Sequence, residues 1–158
     1  MDIYQLLDDL NIQYEKYEHD AVFNCDEADD LRLEIDGIST KNLFLRDRKG
    51  KRHFLLVIQS DKSLDLKSLS EVLGVKALSF ASAERLDKHL STTPGSVSIL
   101  DILKDSDGVV DLVLDEAVAN SQSLQCHPYT NTATLNISLE DIQKLLKHFN
   151  REFMTIAL

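Results

Sequence analysis

Glycine and proline are scarce in this chain, five and two among 158 residues. That scarcity excludes collagen-like and low-complexity classes and leaves long stretches free for regular structure. No apolar run approaches the roughly 18 residues that a membrane-spanning helix needs, so no membrane partner is expected. The opening MDIYQLLDDL carries acids where a signal peptide carries bases, and a cytoplasmic location is expected. Cysteine is nearly absent. Cys25 and Cys126 lie far apart and belong to no C-x-x-C pair, so the pattern gives neither a disulfide framework nor a zinc site, and two reduced, packed thiols are expected. Phosphate-cradling loops are missing as well. The segments GIST, GVKA and GSVS contain neither G-x-G-x-x-G nor a Walker lysine, which argues against a nucleotide-driven enzyme.

What is present suits one compact domain spanning residues 1–158. Apolar residues make up 43% of the chain, and a chain of this size buries roughly two thirds of its unfolded surface around a single core. The formal net charge is −10, which opposes loose binding to polyanions such as DNA. The charge is uneven, however. The segment RDRKGKR, residues 46–52, holds five bases and one acid, a local +4 in a chain whose remainder sums to −14. Any nucleic acid that binds is expected to bind there, at Arg46, Arg48, Lys49, Lys51 and Arg52.

Helical spacing of Ile3, Leu6, Leu7 and Leu10 behind Asp2 predicts an opening helix. IQYEKY predicts a short strand, and Asn24 with Glu27 three residues later predicts a helix start, with a stop at Gly37. TKNLFLRD and RHFLLVIQS read as a hairpin across the basic turn. The second of these is almost wholly apolar and is therefore expected at the centre of its sheet. Leu66, Leu69, Val72 and Leu73 predict a helix closed by Gly74, and SAERLDKHL another behind Ser82. GVVDLVLDEA predicts a buried strand, SLQCHP and TATLNIS a second pair across HPYTN, and SLEDIQKLLKHF a last helix capped by Ser138 with Leu139, Ile142, Leu145, Leu146 and Phe149 inward. The hairpins demand antiparallel pairing. The expected class is α+β, with a mixed, largely antiparallel, curved or barrel-like sheet flanked by helices, rather than a doubly wound parallel sheet.

Three places carry polar residues that a packed core does not ask for. They are Lys41 and Asn42 at a strand start, Gly95, Ser96, Val97 and Ser98 after a Pro-Gly turn, and His127 with Asn131 and Thr132 around a late hairpin. A Ser-His-Asp hydrolase drawn with Ser96 and His127 lacks the G-x-S-x-G elbow that exposes a nucleophile. A metal hydrolase needs ligands at helical or hairpin spacing, whereas His19, His53, His89, His127 and His148 are scattered, so no metal is expected.

Taken in order, EHDAVFNCDEA (18–28), TKNLFLRDRKGKRHFLLVI (40–58), PGSVSIL (94–100) and HPYTNTATLNIS (127–138) resemble the YbaK/ProX family. These are aminoacyl-tRNA deacylases related to the editing insertion domain of bacterial prolyl-tRNA synthetase, and the resemblance covers nearly the whole chain. The second and fourth segments are similar to the free-standing branch that clears alanine from tRNA for proline. The resemblance implies that Lys41 engages the terminal adenosine and that the loop from Gly95 presents backbone N–H groups to the ester carbonyl. It also implies that His127 is a pocket residue at a hairpin corner, where it is expected to orient the ribose or the attacking water. Asn24, Asn42, Ser98, Asn131 and Thr132 are then expected around the substrate, the basic turn on the acceptor stem, and no cofactor. tRNA is the expected partner, with prolyl-tRNA synthetase as a second. Two positions depart from the family pattern: Ile99 stands where the loop usually ends in proline, and Asn24 where threonine is usual. The resemblance leaves open a Cys- or Ser-tRNA deacylase, and a module that binds tRNA or a synthetase without catalysis.

Overall fold

A computed structural model describes residues 2–20 and 36–158. The expected helix from Asn24, and Asn24 and Cys25 themselves, lie outside the described residues. The chain runs α1 (Ile3–Asp9), β1 (Tyr14–Glu18), β2 (Thr40–Arg46), β3 (His53–Gln59), α2 (Leu66–Leu73), β4 (Ser79–Phe80) and α3 (Ala83–Leu90). A 3-10 helix (Ile99–Lys104), β5 (Val110–Asp115), α4 (Glu116–Ala119), β6 (Ser123–Cys126), β7 (Ala133–Ser138), α5 (Leu139–His148) and β8 (Phe153–Ile156) follow. The class is α+β, as the alternation of periods implied.

The strands among the described residues form two sheets. One holds three antiparallel strands in the order β1-β7-β6, the other five in the order β4-β2-β3-β5-β8. The apolar β3 is central, flanked by β2 antiparallel and β5 parallel. Its alternate residues feed two cores. Leu55 and Val57 join the larger cluster with Phe44, Leu100, Leu112 and Leu135, while Phe54, Leu56 and Ile58 join Leu45, Leu69 and Val113 on the opposite face. Burial on both faces explains the unbroken apolar run, because neither set of side chains meets water.

The helix signals act locally as expected. Asp2, Ser82 and Ser138 each cap a helix by accepting from its first-turn N–H groups, and Asp65, which was not singled out in the sequence, does the same for α2. Gly74 closes α2 at φ 69°, a left-handed conformation that costs a residue with a Cβ. The inward stripe of α5 is Leu139, Ile142, Leu145 and Leu146, with Phe149 packed at its end.

The two sheets meet where Ile38 bridges Leu124 in parallel. Ile38 N–H donates to Ser123 O at 3.0 Å, Gln125 N–H to Ile38 O at 3.0 Å, and the Thr40 hydroxyl to Gln125 O at 2.9 Å. Both chains run the same way from this junction. It therefore carries Asn42, two residues past Thr40, and His127, two residues past Gln125, toward the same end of the molecule.

Candidate active site

The loop after α3 is built from a turn. Ser96 N–H donates to Thr93 O at 3.0 Å, with Pro94 and Gly95 at the two corners and Gly95 at φ 86°, the pattern of a type II turn. The next carbonyl, Ser96 O, accepts from the Thr92 hydroxyl at 3.2 Å. The one after it, Val97 O, lies 3.0 Å from His127 Nε2. Ser98 N–H, on the far side of the same peptide, donates to Asp101 Oδ2 at 2.7 Å. Three successive peptides are thus pinned. In a trans peptide the N–H and C=O point opposite ways, so Val97 N–H faces away from Thr92. Among the described residues Gly95 N–H and Val97 N–H have no acceptor, whereas Ser96 N–H is spent inside the turn.

His127 follows β6 and is mostly buried. A carbonyl only accepts, so Nε2 carries the proton that reaches Val97 O, and Nδ1 keeps a lone pair. That Nδ1 is buried without a partner among the described residues. Burial lowers the ring below the ordinary histidine value, with the Asp101 carboxylate pulling part of the way back, so the ring is neutral in the neutral range. His127 O accepts the Ser98 hydroxyl at 2.8 Å. Since Nε2 is committed to Val97 O, it does not activate Ser96.

Asn42 leaves β2 on the face of Phe44, the face of the larger core to which Val97 also packs. Its Oδ1 is buried and has no partner among the described residues. Strand alternation puts Lys41 on the other face, in register with Ile58 and in line with Leu43 and Leu45. The neighbours Lys41 and Asn42 therefore serve different faces of the sheet.

Asn131 and Thr132 sit farther round the β6–β7 connection. Thr132 O accepts from His19 N–H at 3.0 Å. The Thr132 side chain lines a cleft of about 350 Å³ with Tyr4, Lys16, Glu18, His19, Thr130 and Ala133. The structure thus groups Val97, Ser98 and His127 and places Thr132 in a cleft that none of those three lines. The buried Cys126 is a free thiol, pushed up to about 12 by burial, as its expected packing implies.

The basic turn divides as well. The Arg46 guanidinium donates back to Asp47 O and Arg48 O, and Arg52 pairs with Asp111 at 3.2 Å. Arg48, Lys49 and Lys51 are exposed. Arg48 N–H donates to Lys76 O at 3.0 Å, which brings a further lysine to the tip.

Several residues of the site were not singled out in the sequence: Asp101, Thr92, Lys104 and Tyr129. Asp101 was legible, since Ser98-x-x-Asp101 is a capping-box spacing. Tyr129, with its hydroxyl on Leu100 O at 2.8 Å and the Lys104 ammonium over its ring at 4.0 Å, depends on a tertiary contact that no local pattern announces. Among the described residues, no three His, Cys, Asp or Glu side chains gather as metal ligands. None of the described helices is long and apolar enough to cross a membrane.

Backbone N–H groups without an acceptor among the described residues and a neutral histidine thus meet at one loop, and fixed backbone donors are a kind of group that can stabilise negative charge on an acyl oxygen. The aminoacyl-tRNA editing domain model matches residues 19–145. The prolyl-tRNA editing protein ProX of Acetoanaerobium sticklandii is 40% identical over 152 residues, covering 96% of this chain and 93% of that protein. Prolyl-tRNA synthetase associated domain-containing protein 1 of Danio rerio is 34% identical over 145 residues, covering 90% and 78%. Among solved structures, a candidate trans-editing enzyme for prolyl tRNA synthetase superposes with a TM-score of 0.68 at 17% identity, covering 99% of this chain and 94% of that one, a likeness of fold. The chain belongs to the aminoacyl-tRNA editing domain family. It is an aminoacyl-tRNA hydrolase, and mischarged tRNA is its class of substrate.

Proposed function

We propose that the protein is a trans-editing deacylase that removes alanine from tRNA for proline. The observation that carries this reading is the pinned loop, whose Val97 O meets His127 Nε2 while its Val97 and Gly95 N–H groups and His127 Nδ1 have no partner among the described residues. In ester hydrolysis, water attacks the carbonyl carbon and the carbonyl oxygen gains negative charge. Backbone donors fixed in advance stabilise that charge without reorganising. His127 Nδ1 accepts a hydrogen bond from the attacking water or a ribose hydroxyl and so orients it. Asn42 offers its buried Oδ1 at the same end of the molecule. Lys41, on the far face of β2, is assigned to the phosphate or ribose of the terminal nucleotide at the rim. Arg48, Lys49 and Lys51 are assigned to the acceptor stem, and Asn24, Asn131 and Thr132 to the substrate's surroundings.

Alanine is favoured as the cleared residue because a pocket built for proline rejects a smaller impostor only weakly, so a second sieve admitting the small residue adds fidelity. The name of the ProX relative supports the same tRNA. Prolyl-tRNA synthetase is proposed as the enzyme whose errors are corrected. The test is a panel of Ala-, Cys-, Ser- and Pro-tRNA substrates. Release fastest from Ala-tRNA(Pro) supports the proposal, and faster release of cysteine or serine overturns the alanine assignment. Binding of tRNA with no release from any substrate would instead mark a module without catalysis.

A further inference from the structure

Ile99 stands where the family's loop usually ends in proline, yet the loop is held. Ile99 itself is 2% exposed and packs in the larger core with Leu100 and Ile102, so its side chain anchors the 3-10 helix that follows. Directly before it, Ser98 and Asp101 form a reciprocal capping box. Ser98 Oγ lies 3.2 Å from Leu100 N–H, and Asp101 Oδ2 accepts Ser98 N–H at 2.7 Å. Both side chains are enclosed, at 0% and 1% exposure. The Asp101 carboxylate also meets the Lys104 ammonium at 3.0 Å.

A capping box normally satisfies helix-end donors and does no more. This one reaches the site. The peptide whose N–H is held by Asp101 has its carbonyl, Val97 O, on His127 Nε2. The Ser98 hydroxyl simultaneously donates to His127 O. Asp101, Ser98, Val97 and His127 therefore close a ring of hydrogen bonds, in which the histidine's backbone and its imidazole are held by adjacent residues. A proline would fix one backbone angle, whereas the ring fixes a peptide plane and a ring tautomer together.

We propose that the Ser98–Asp101 capping box is the positioning device of the catalytic loop, holding the Val97–Ser98 peptide and through it the His127 imidazole in the orientation that ester hydrolysis requires. Asp101 and Ser98 are positioning residues: they act through Val97 and His127. The proposal rests on the deacylase reading for its kinetic consequence but not for its structural one.

The experiment combines kinetics on Ala-tRNA(Pro) with nitrogen NMR of the His127 ring in the same proteins. Asp101→Leu removes the acceptor and keeps the branched skeleton of the side chain, with bulkier methyl groups in place of the oxygens. Asp101→Asn keeps an oxygen for Ser98 N–H and lacks only the charge. Ser98→Ala is the smallest change and covers the case in which Asp101→Leu fails to fold. Small displacements of reacting groups cost up to about a hundredfold, so kcat is expected to fall at least about tenfold in Asp101→Leu and Ser98→Ala, with KM within about twofold. Asp101→Asn is expected to restore most of kcat. In wild type the NMR should report one tautomer, protonated at Nε2 and bare at Nδ1, and in Asp101→Leu and Ser98→Ala a mixture. An unchanged tautomer with kcat within about twofold of wild type in both variants overturns the proposal. If wild type releases no amino acid from any charged tRNA, the deacylase reading fails, and the tautomer comparison alone decides the positioning claim.

Discussion

His127 Nε2 lies 3.0 Å from Val97 O while Nδ1 of the same ring is buried with no partner among the described residues. One nitrogen is thereby committed to structure, and the proposed reading gives the other to chemistry. The ring's lowered proton affinity, set first by burial, means that the neutral form persists below the usual histidine range. The deacylation rate should stay level from neutral pH down past the ordinary histidine value and decline only below it. His127→Ala should lower kcat, by up to the 10²–10⁴-fold typical of a group that manages protons. Full activity in that variant across neutral pH would make His127 a turn residue.

Lys41 and Asn42 are adjacent in sequence but face opposite sides of β2. Replacing Lys41 with Ala should reduce turnover on charged tRNA sharply while leaving the melting temperature near wild type, since substitutions away from the core usually move stability within about ±0.5 kcal/mol. Activity falling only in step with stability would assign Lys41 to the fold.

Gly95 holds φ 86° at the corner of the turn. Gly95→Ala forces an L side chain into that region at a cost of about 1–2 kcal/mol, and the turn should relax by shifting the Val97 donor. Circular dichroism should show a folded protein with a modestly lowered melting point, and kinetics a disproportionate loss of kcat. Equal losses in stability and rate would speak against the donor role.

Arg48, Lys49 and Lys51 are exposed, Arg52 is exposed but pairs with Asp111, and Arg46 is occupied by its own turn. Changing Arg48, Lys49 and Lys51 to Gln should weaken deacylation of full tRNA and flatten its salt dependence, and leave a minimal aminoacyl-nucleotide unaffected. An extended strand from Lys41 to Arg46 spans roughly 17 Å, a reach that suits the acceptor stem. Equal rates on both substrates before and after substitution would assign the tip to solubility.

A last prediction concerns stability in acid. His53 is buried, stacked on Phe44 and set 4.4 Å from the His89 ring, and Arg85 lies 3.1 Å from its Nε2. Burial, then His89, then Arg85 lower it from 6.5 to about 4. The unfolded chain therefore binds a proton that the folded one refuses. Stability is intact above about 6.5 and is lost as pH falls toward about 4. Denaturant midpoints measured across that window should fall in wild type and fall less in His53→Leu; parallel slopes would mean that His53 is not the group responsible.

Much of the fold was legible because its signals are local. Ser82, Ser138 and Gly74 act where they stand, and the apolar run of β3 announces a strand buried on both faces. What stayed hidden is non-local. β8 pairs in parallel with β5, and a four-residue strand after a helix gives no sign of its partner. The 3-10 helix over Ile99–Lys104 breaks the helical period and reads as neither helix nor strand. In the site, the polar residues at 41–42, 95–98 and 127 stood out for their type. That Ser96 N–H is spent in the turn, that Lys41 and Asn42 part across a sheet, and that Asp101 reaches His127 through one peptide are matters of direction, which composition does not carry.

The most direct measurement is the single-turnover release of alanine from Ala-tRNA(Pro) by the purified, folded wild-type protein, beside Pro-tRNA(Pro) under the same conditions. The account predicts rapid release of alanine and sparing of proline. Release of alanine no faster than the uncatalysed rate would contradict it.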